Sequence, residues 1–279
     1  MIRRQAPAKL NLYLRVLGRR PDGYHELETL FERIDLADEL TFERMTRGLS
    51  LTCDEPGLAV DESNLVLRAA RLLQQTVGTT EGATIRLHKR IPVAAGLGGG
   101  SSDAAATLLG LNELWQLRLT PAVLLELGAR LGSDVPFFLS QAACAIGRGR
   151  GEVCEPVAHG GPLTHILVVP EARLSTRDVY EGLQRDGTGR ARFDLTASPP
   201  SITILLHALR NGSLGELAKG LWNDLEPEAI RRCPIIERIR SELQVYECLG
   251  TLVSGSGPAV FGLCHDLAHA KDVARGVKA

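Results

Sequence analysis

The chain has 279 residues, of which 44% are hydrophobic, 23% charged and only 4% aromatic, with a formal net charge of -1. A near-neutral chain without a basic tract gives no electrostatic reason to expect nucleic acid or an anionic membrane as partner, and its longest apolar runs fall far short of a bilayer span. Six cysteines without a CxxC pair, and an N-terminus whose arginines precede no apolar stretch, read as reduced thiols in a cytoplasmic protein.

Leu10, Leu12, Leu14 and Val16 alternate with Asn11, Tyr13 and Arg15, a period of two that predicts a half-buried strand over Lys9 to Leu17. Pro21-Asp22-Gly23 signals a turn, and His25 to Ile34 returns as a second strand. From Asp61 to Val77 the period becomes helical, with Asp61 or Ser63 available as N-cap and Gly78 as stop. Ala83 to His88 alternates again and leads into a glycine-rich loop, Pro92 to Ser102, followed by a helix from Ser102 to Leu117. A further helix runs from Thr120 and Pro121 to Leu131 and stops at Gly132. The glycine-rich stretch Gly147 to Gly161 is the candidate interdomain connection, dividing the chain into domains 1–155 and 156–279.

Beyond it, Leu163 to Val169 reads as a strand, Thr176 to Gln184 as a helix and Arg185 to Pro200 as an irregular polar stretch. Helices follow over Ser201 to Arg210, Ser213 to Lys219 and Glu226 to Gln244. Two short strands, Leu249 to Val253 and Ala259 to Cys264, flank the loop Ser254 to Pro258 before a terminal helix. Cys264, His265 and His269 cluster there, but with no further ligands nearby they read as a surface helix. Strands and helices alternate without a regular βαβ repeat, so the expected class is α+β with two domains.

The strand, loop and helix around Pro92 to Ser102 have a chemical purpose. Glycines admit positive φ and close approach of the backbone to a bulky anion, and the first helical amides lack intrahelical partners. Helix dipole and amides together make a phosphate site, with the Ser101 and Ser102 hydroxyls as further donors and Ser102 as a candidate Mg²⁺ ligand. The loop lacks the lysine of GxxxxGK[ST], does not match GxGxxG, and has no HRD or DFG partner elsewhere.

PVAAGLGGGSSDAA resembles the phosphate-binding motif of the GHMP kinases, the superfamily of galactokinase, homoserine kinase and mevalonate kinase. APAKLNLYL near the N-terminus and LVSGSGPAVFGL near the C-terminus fall where that family has its other motifs. The resemblance implies an ATP- and Mg²⁺-dependent small-molecule kinase of two domains with its active site in the cleft between them. It implies nucleotide contacts from Pro92, Val93, Ala94, Ala95, Gly96, Leu97, Gly98, Gly99, Gly100, Ser101 and Ser102. It also places Lys9 beside Asp134, in the string GSDVPFF, as the pair that orients and accepts the acceptor's hydroxyl proton. Read without the family, Asp134 would merely cap the helix that follows it, and Lys9 would be a snorkelling lysine.

The longer strings AKLNLYLRVLGRRPDGYHEL and GSDVPFF point, within the family, to a cytidine-diphosphate-linked polyol as acceptor, in the non-mevalonate isoprenoid pathway. On that reading Asn11 bonds the substrate and Tyr24, His25, Thr176 and Tyr180 receive the cytosine, while Gly255, Ser256 and Gly257 approach the phosphates and the acceptor. Two alternatives stay open: another acceptor of the same superfamily, such as homoserine, mevalonate or a sugar, or a non-catalytic nucleotide sensor. A monomer or weak homodimer is expected.

Overall fold

Strand β1 (Ile2–Arg19) alternates between partly buried and exposed positions at both ends, but every residue from Ala8 to Leu14 is buried. The expectation of a half-buried strand therefore fails in its middle, where both faces are covered. Lys9 (4% exposed), Asn11 (2%) and Tyr13 (1%) are interior residues as well as the leucines between them. Interior polar groups need partners, and the strand that places them is much of what builds the site.

The computed structural model describes residues 1–183 and 199–277, so the polar stretch expected at Arg185 to Pro200 lies, up to Ser198, outside the described residues. The remaining strands are β2 (His25–Met45), β3 (Leu49–Cys53), β4 (Gly82–His88), β5 (Cys144–Gly149), β6 (Val153–Pro156), β7 (Thr164–Val168), β8 (Trp222–Asn223), β9 (Gly250–Val253) and β10 (Val260–Cys264). The helices are α1 (Leu65–Val77), α2 (Gly99–Leu114), α3 (Pro121–Leu131), α4 (Val135–Leu139), α5 (Thr176–Gly182), α6 (Ile202–Asn211), α7 (Leu214–Gly220), α8 (Glu226–Arg232), α9 (Ile235–Val245) and α10 (Leu267–Gly276). The fold is α+β, and among the described residues no helix is long and apolar enough to cross a membrane.

The chain forms two compact units. The first comprises Met1–Lys9, Arg33–Val93 and Gly98–Pro156; the second comprises Leu10–Glu32, Ala94–Leu97 and the described chain from Val157 onward. In the first unit β4 pairs antiparallel with β2, from Glu39 opposite His88 to Met45 opposite Gly82, and parallel with β3. The glycine-rich stretch expected as a connection forms, up to Pro156, the β5–β6 hairpin of this unit, and the chain passes into the second unit at Val157. Helices α1 to α4 pack on one another, with Leu73, Leu108 and Leu111 fully buried. In the second unit β7, β10 and β9 form an antiparallel sheet covered by α9 and α10, and β8 pairs parallel with Tyr13 and Leu14 of β1. Ile236, Ile239 and Leu243 bury the apolar stripe of α9 there, each side chain worth about 1.5–3 kcal/mol when removed from water.

Local chemistry sets the helix ends. Thr120 accepts the Val123 amide and Pro121 opens α3, as its sequence predicts. For α1 the cap is Asn64 and neither expected residue, because Asp61 turns its carboxylate onto the amide and hydroxyl of Ser63. The single helix expected from Glu226 to Gln244 is two, α8 and α9, separated at Cys233–Pro234, where proline can supply no helical amide.

Candidate active site

Helix α2 begins three residues earlier than its apolar period suggests, inside the run of glycines. Its N-cap is Gly98, with φ of +71°, and the Ser102 amide closes the first turn on the Gly98 carbonyl at 2.9 Å. That start leaves the amides of Gly99, Gly100 and Ser101 directed beyond the helix end, and no acidic side chain occupies the first turn to compete with an anion. A side chain at Gly98 would come within 3.0 Å of Lys9 Cγ and of the Phe138 ring, so this turn lies directly on the Lys9 stem.

Lys9 Nζ stands 3.6 Å from Asp134 Oδ2. Burial lowers the Lys9 pKa, with the Asp134 carboxylate opposing that shift. Asp134 is the N-cap residue of α4 by position, yet its side chain makes no capping bond and is 29% exposed. The carboxylate is therefore committed to the lysine side of the site and keeps access to solvent. Burial, with the Asp134 charge second, pushes the nearby Cys154 thiol up to about 12, so this cysteine stays protonated at neutral pH.

A second charged cluster was missed by sequence reasoning. Lys89, at the end of β4, bonds Asp38, and its Nζ lies 3.0 Å from Asp103 Oδ2 within α2; all three side chains are 6% exposed or less. Asp38 also accepts the backbone amides of Arg90 and Ile91 at 2.6 and 2.8 Å, which fixes the chain as it enters the glycine loop. The sequence signal was slight: a lysine directly between strand and loop, and an aspartate just inside the helix. Burial pushes the Asp103 carboxyl up to about 7, with Lys89 opposing and Asp38 adding to the shift. Burial also acts against the Lys89 ammonium, but Asp103 and then Asp38 more than offset it and its pKa is raised.

The Asp103 shift has a consequence for stability. The folded state keeps a proton on Asp103 that the unfolded chain has released above its ordinary value of 3.8. Its contribution is then complete below about pH 4 and is lost as pH rises through about 7. In urea titrations Asp103→Asn should flatten the decline in unfolding free energy between pH 5 and pH 8; an unchanged slope would show that no proton is shared there.

In the second unit the Ala94–Leu97 part of the loop is pinned to the turn after β9. The Ala259 amide donates to the Ala95 carbonyl at 3.1 Å, and the Ser254 hydroxyl to the Gly96 carbonyl at 3.1 Å. Gly255 and Gly257 both have positive φ, at +57° and +78°. Asn223, another residue that sequence reasoning passed over, donates its side-chain amide to the carbonyls of Val253 and Gly255 and shapes this turn. Asn11 donates to Thr29 Oγ1 at 2.8 Å, and its backbone amide faces Ser254 Oγ.

Thr176 and Ser256 share a hydroxyl–hydroxyl bond of 2.8 Å, and the rings of His25 and Tyr180 stack at 5.0 Å with an interplanar angle of 27°. The structure thus joins Asn11 to Ser254, Thr176 to Ser256 and His25 to Tyr180. Tyr24 is 54% exposed, its amide bonded to the Asp22 carboxylate.

The residues do not fit a divalent cation at Ser102. Its hydroxyl is buried and has no hydrogen-bond partner among the described residues, and the charged side chains of the pocket that Ser102 lines are Arg3, Arg4 and Arg33. The carboxylates of Asp38 and Asp103 are held by Lys89, and among the described residues no group of three or more His, Cys, Asp or Glu side chains could hold a metal. The Cys264, His265 and His269 cluster belongs to α10 and its approach, where the His269 ring meets the His265 amide and the Tyr246 carbonyl.

The sequence matches the family model for the GHMP kinases N terminal domain over residues 64–142 and that for GHMP kinases C terminal over residues 205–279. The 4-diphosphocytidyl-2-C-methyl-D-erythritol kinase of Pelotomaculum thermopropionicum is 44% identical over 270 residues, covering 96% of this chain and 91% of its own. A crystal structure of 4-(cytidine 5'-diphospho)-2C-methyl-D-erythritol kinase aligns with a TM-score of 0.81 at 38% identity, over 98% of this chain and 94% of its own. A homoserine kinase from Cytophaga hutchinsonii, at 19% identity and a TM-score of 0.76 over 98% of this chain and 88% of its own, shares the fold. With both family models matched and relatives this similar over almost its whole length, the chain belongs to the GHMP kinases.

Proposed function

We propose that this kinase transfers the γ-phosphoryl group of ATP to the 2-hydroxyl of 4-diphosphocytidyl-2-C-methyl-D-erythritol, the compound named in its relatives. The observation that carries the reading is the buried Lys9 set 3.6 Å from Asp134, its stem directly under the glycine turn that opens α2. Asp134 accepts the proton as the hydroxyl oxygen attacks the γ-phosphorus; the bond to the β–γ bridging oxygen breaks and ADP leaves. Lys9 holds the carboxylate in place and offsets the charge that builds up on the transferred group. The amides of Gly99 to Ser101 receive the phosphates of the nucleotide. Mg²⁺ would arrive with the nucleotide.

The acceptor's cytosine is received by the His25–Tyr180 pair. The two rings already stack on each other, and a pyrimidine would extend that stack. Thr176, bonded to Ser256, links the helix that carries Tyr180 to the glycine turn.

An ADP-release assay over cytidine-linked methylerythritol, homoserine, mevalonate and sugars, with the product weighed by mass spectrometry, tests the reading. Only the first should gain a phosphoryl group. Loss of the ring in Tyr180→Ala should raise KM for that acceptor about 5- to 150-fold, the equivalent of one base stack, with KM for ATP unchanged. An acceptor KM insensitive to Tyr180 would remove the cytosine site, and transfer to another acceptor would remove the substrate.

A further inference from the structure

The hydroxyl of Ser102 opens a question that the phosphate loop does not answer. Ser102 is 1% exposed, and among the described residues its Oγ has no hydrogen-bond partner, nor do the buried Nε atoms of Arg4 and Arg33. All three residues line one pocket of about 290 Å³ in the first unit, and none of Pro92 to Ser101 contributes to it.

The charge in this pocket has one sign. Arg4 pairs with Glu113, and Arg3 with Glu39 at 3.5 Å, but neither carboxylate belongs to the pocket lining. Among the described residues Arg33 has no carboxylate partner. Its Nη2 donates to the Phe138 carbonyl at 3.2 Å and its guanidinium lies 5.8 Å from the centre of the Phe137 ring. Burial lowers its pKa, but an arginine remains charged across the physiological range. Phe138 and Leu109 supply apolar walls, which reduce screening and strengthen attraction for an anion.

We propose that this pocket, on the side of α2, is a second anion site, which takes a small phosphate-type oxyanion. The arginines come from two different strands, Arg3 and Arg4 from β1 and Arg33 from β2. That suits a tetrahedral anion, which accepts on several sides, better than a planar carboxylate. The site is separate from the proposed nucleotide loop and does not depend on that assignment.

The test is calorimetric titration of the whole chain with inorganic phosphate while ADP saturates the nucleotide site, with acetate as the planar control. Phosphate should still bind with ADP present, acetate should bind at least about tenfold more weakly, and Arg33→Met should weaken phosphate by a similar factor, with Arg33→Lys between. No phosphate isotherm in the ADP-saturated protein, equal binding of acetate, or unchanged affinity in Arg33→Met would each overturn the proposal. Should Arg33→Met fail to fold, crystals of the unaltered protein soaked in selenate decide the matter. An anomalous peak between Arg33 and Ser102 supports the site, and its absence overturns it.

Discussion

Asp134→Asn is expected to lower kcat by about 10²–10⁴-fold and to leave the affinity for ATP within about twofold. The amide preserves the shape of the side chain and removes its charge and its ability to take a proton. No helix cap is lost, because Asp134 makes none, and the side chain keeps contact with solvent, so the fold should survive. The change also acts on Lys9. Burial already lowers the Lys9 pKa and the carboxylate is what opposes it, so without the carboxylate Lys9 loses its ammonium more readily as pH rises. Lys9→Met should therefore fall to a comparable rate, and the double variant should be little slower than either single one, as for groups that act as a unit. Steady-state kinetics with nucleotide binding measured separately checks this. Turnover near that of the unaltered enzyme in Asp134→Asn would end the assignment.

Gly96→Ala should cost roughly 2–4 kcal/mol of stability and weaken nucleotide binding at least about tenfold. Two effects add. At φ of +82° a side chain is strained, and its Cβ would overlap the Ser254 carbonyl and stand 3.1 Å from the Gly257 amide. Both neighbours are backbone, so neither can rotate away. Relief requires the loop to withdraw from the turn, breaking the Ser254 and Ala259 bonds that hold the Gly96 and Ala95 carbonyls. Gly215 in α7 is the control: a Cβ there meets nothing within 4 Å, and alanine should stabilise the helix by roughly 0.5–1 kcal/mol. Thermal melts of both variants distinguish a local steric effect from a general effect of adding a methyl group. Equal melting temperatures would contradict the tight approach at Gly96.

What could be read from the chain beforehand divides along physical lines. Helix α3 was readable because Thr120, Pro121 and Gly132 determine its ends locally. Helix α2 began earlier than expected because glycines carry no apolar period, although a glycine run is where an anion-binding helix has reason to start. Strand β8 is two residues long, too short to show alternation, and its pairing to Tyr13 and Leu14 is set by partners far along the chain. The burial of Lys9 and Asn11 was hidden because a period of two identifies a face without saying whether that face is covered. The glycine loop was legible from its glycines and the helix start alone, the Lys9–Asp134 pair only from family motifs; Asp38, Lys89 and Asp103 left no comparable trace, since each alone is an ordinary charged residue. Asn223 was overlooked for the same reason.

The way the chain is shared between the two units restricts how this protein can be taken apart. Leu10–Glu32 and Ala94–Leu97 are excursions of the N-terminal half of the sequence into the second unit. A gene fragment beginning at Val157 would lack the β1 residues that pair with Trp222 and Asn223, and the carbonyls that engage Ser254 and Ala259. No single crossover in the gene can exchange the second unit for that of a relative. Three separate stretches must be inherited together, so a change of acceptor in such an enzyme is more accessible through side-chain substitution than through shuffling whole domains.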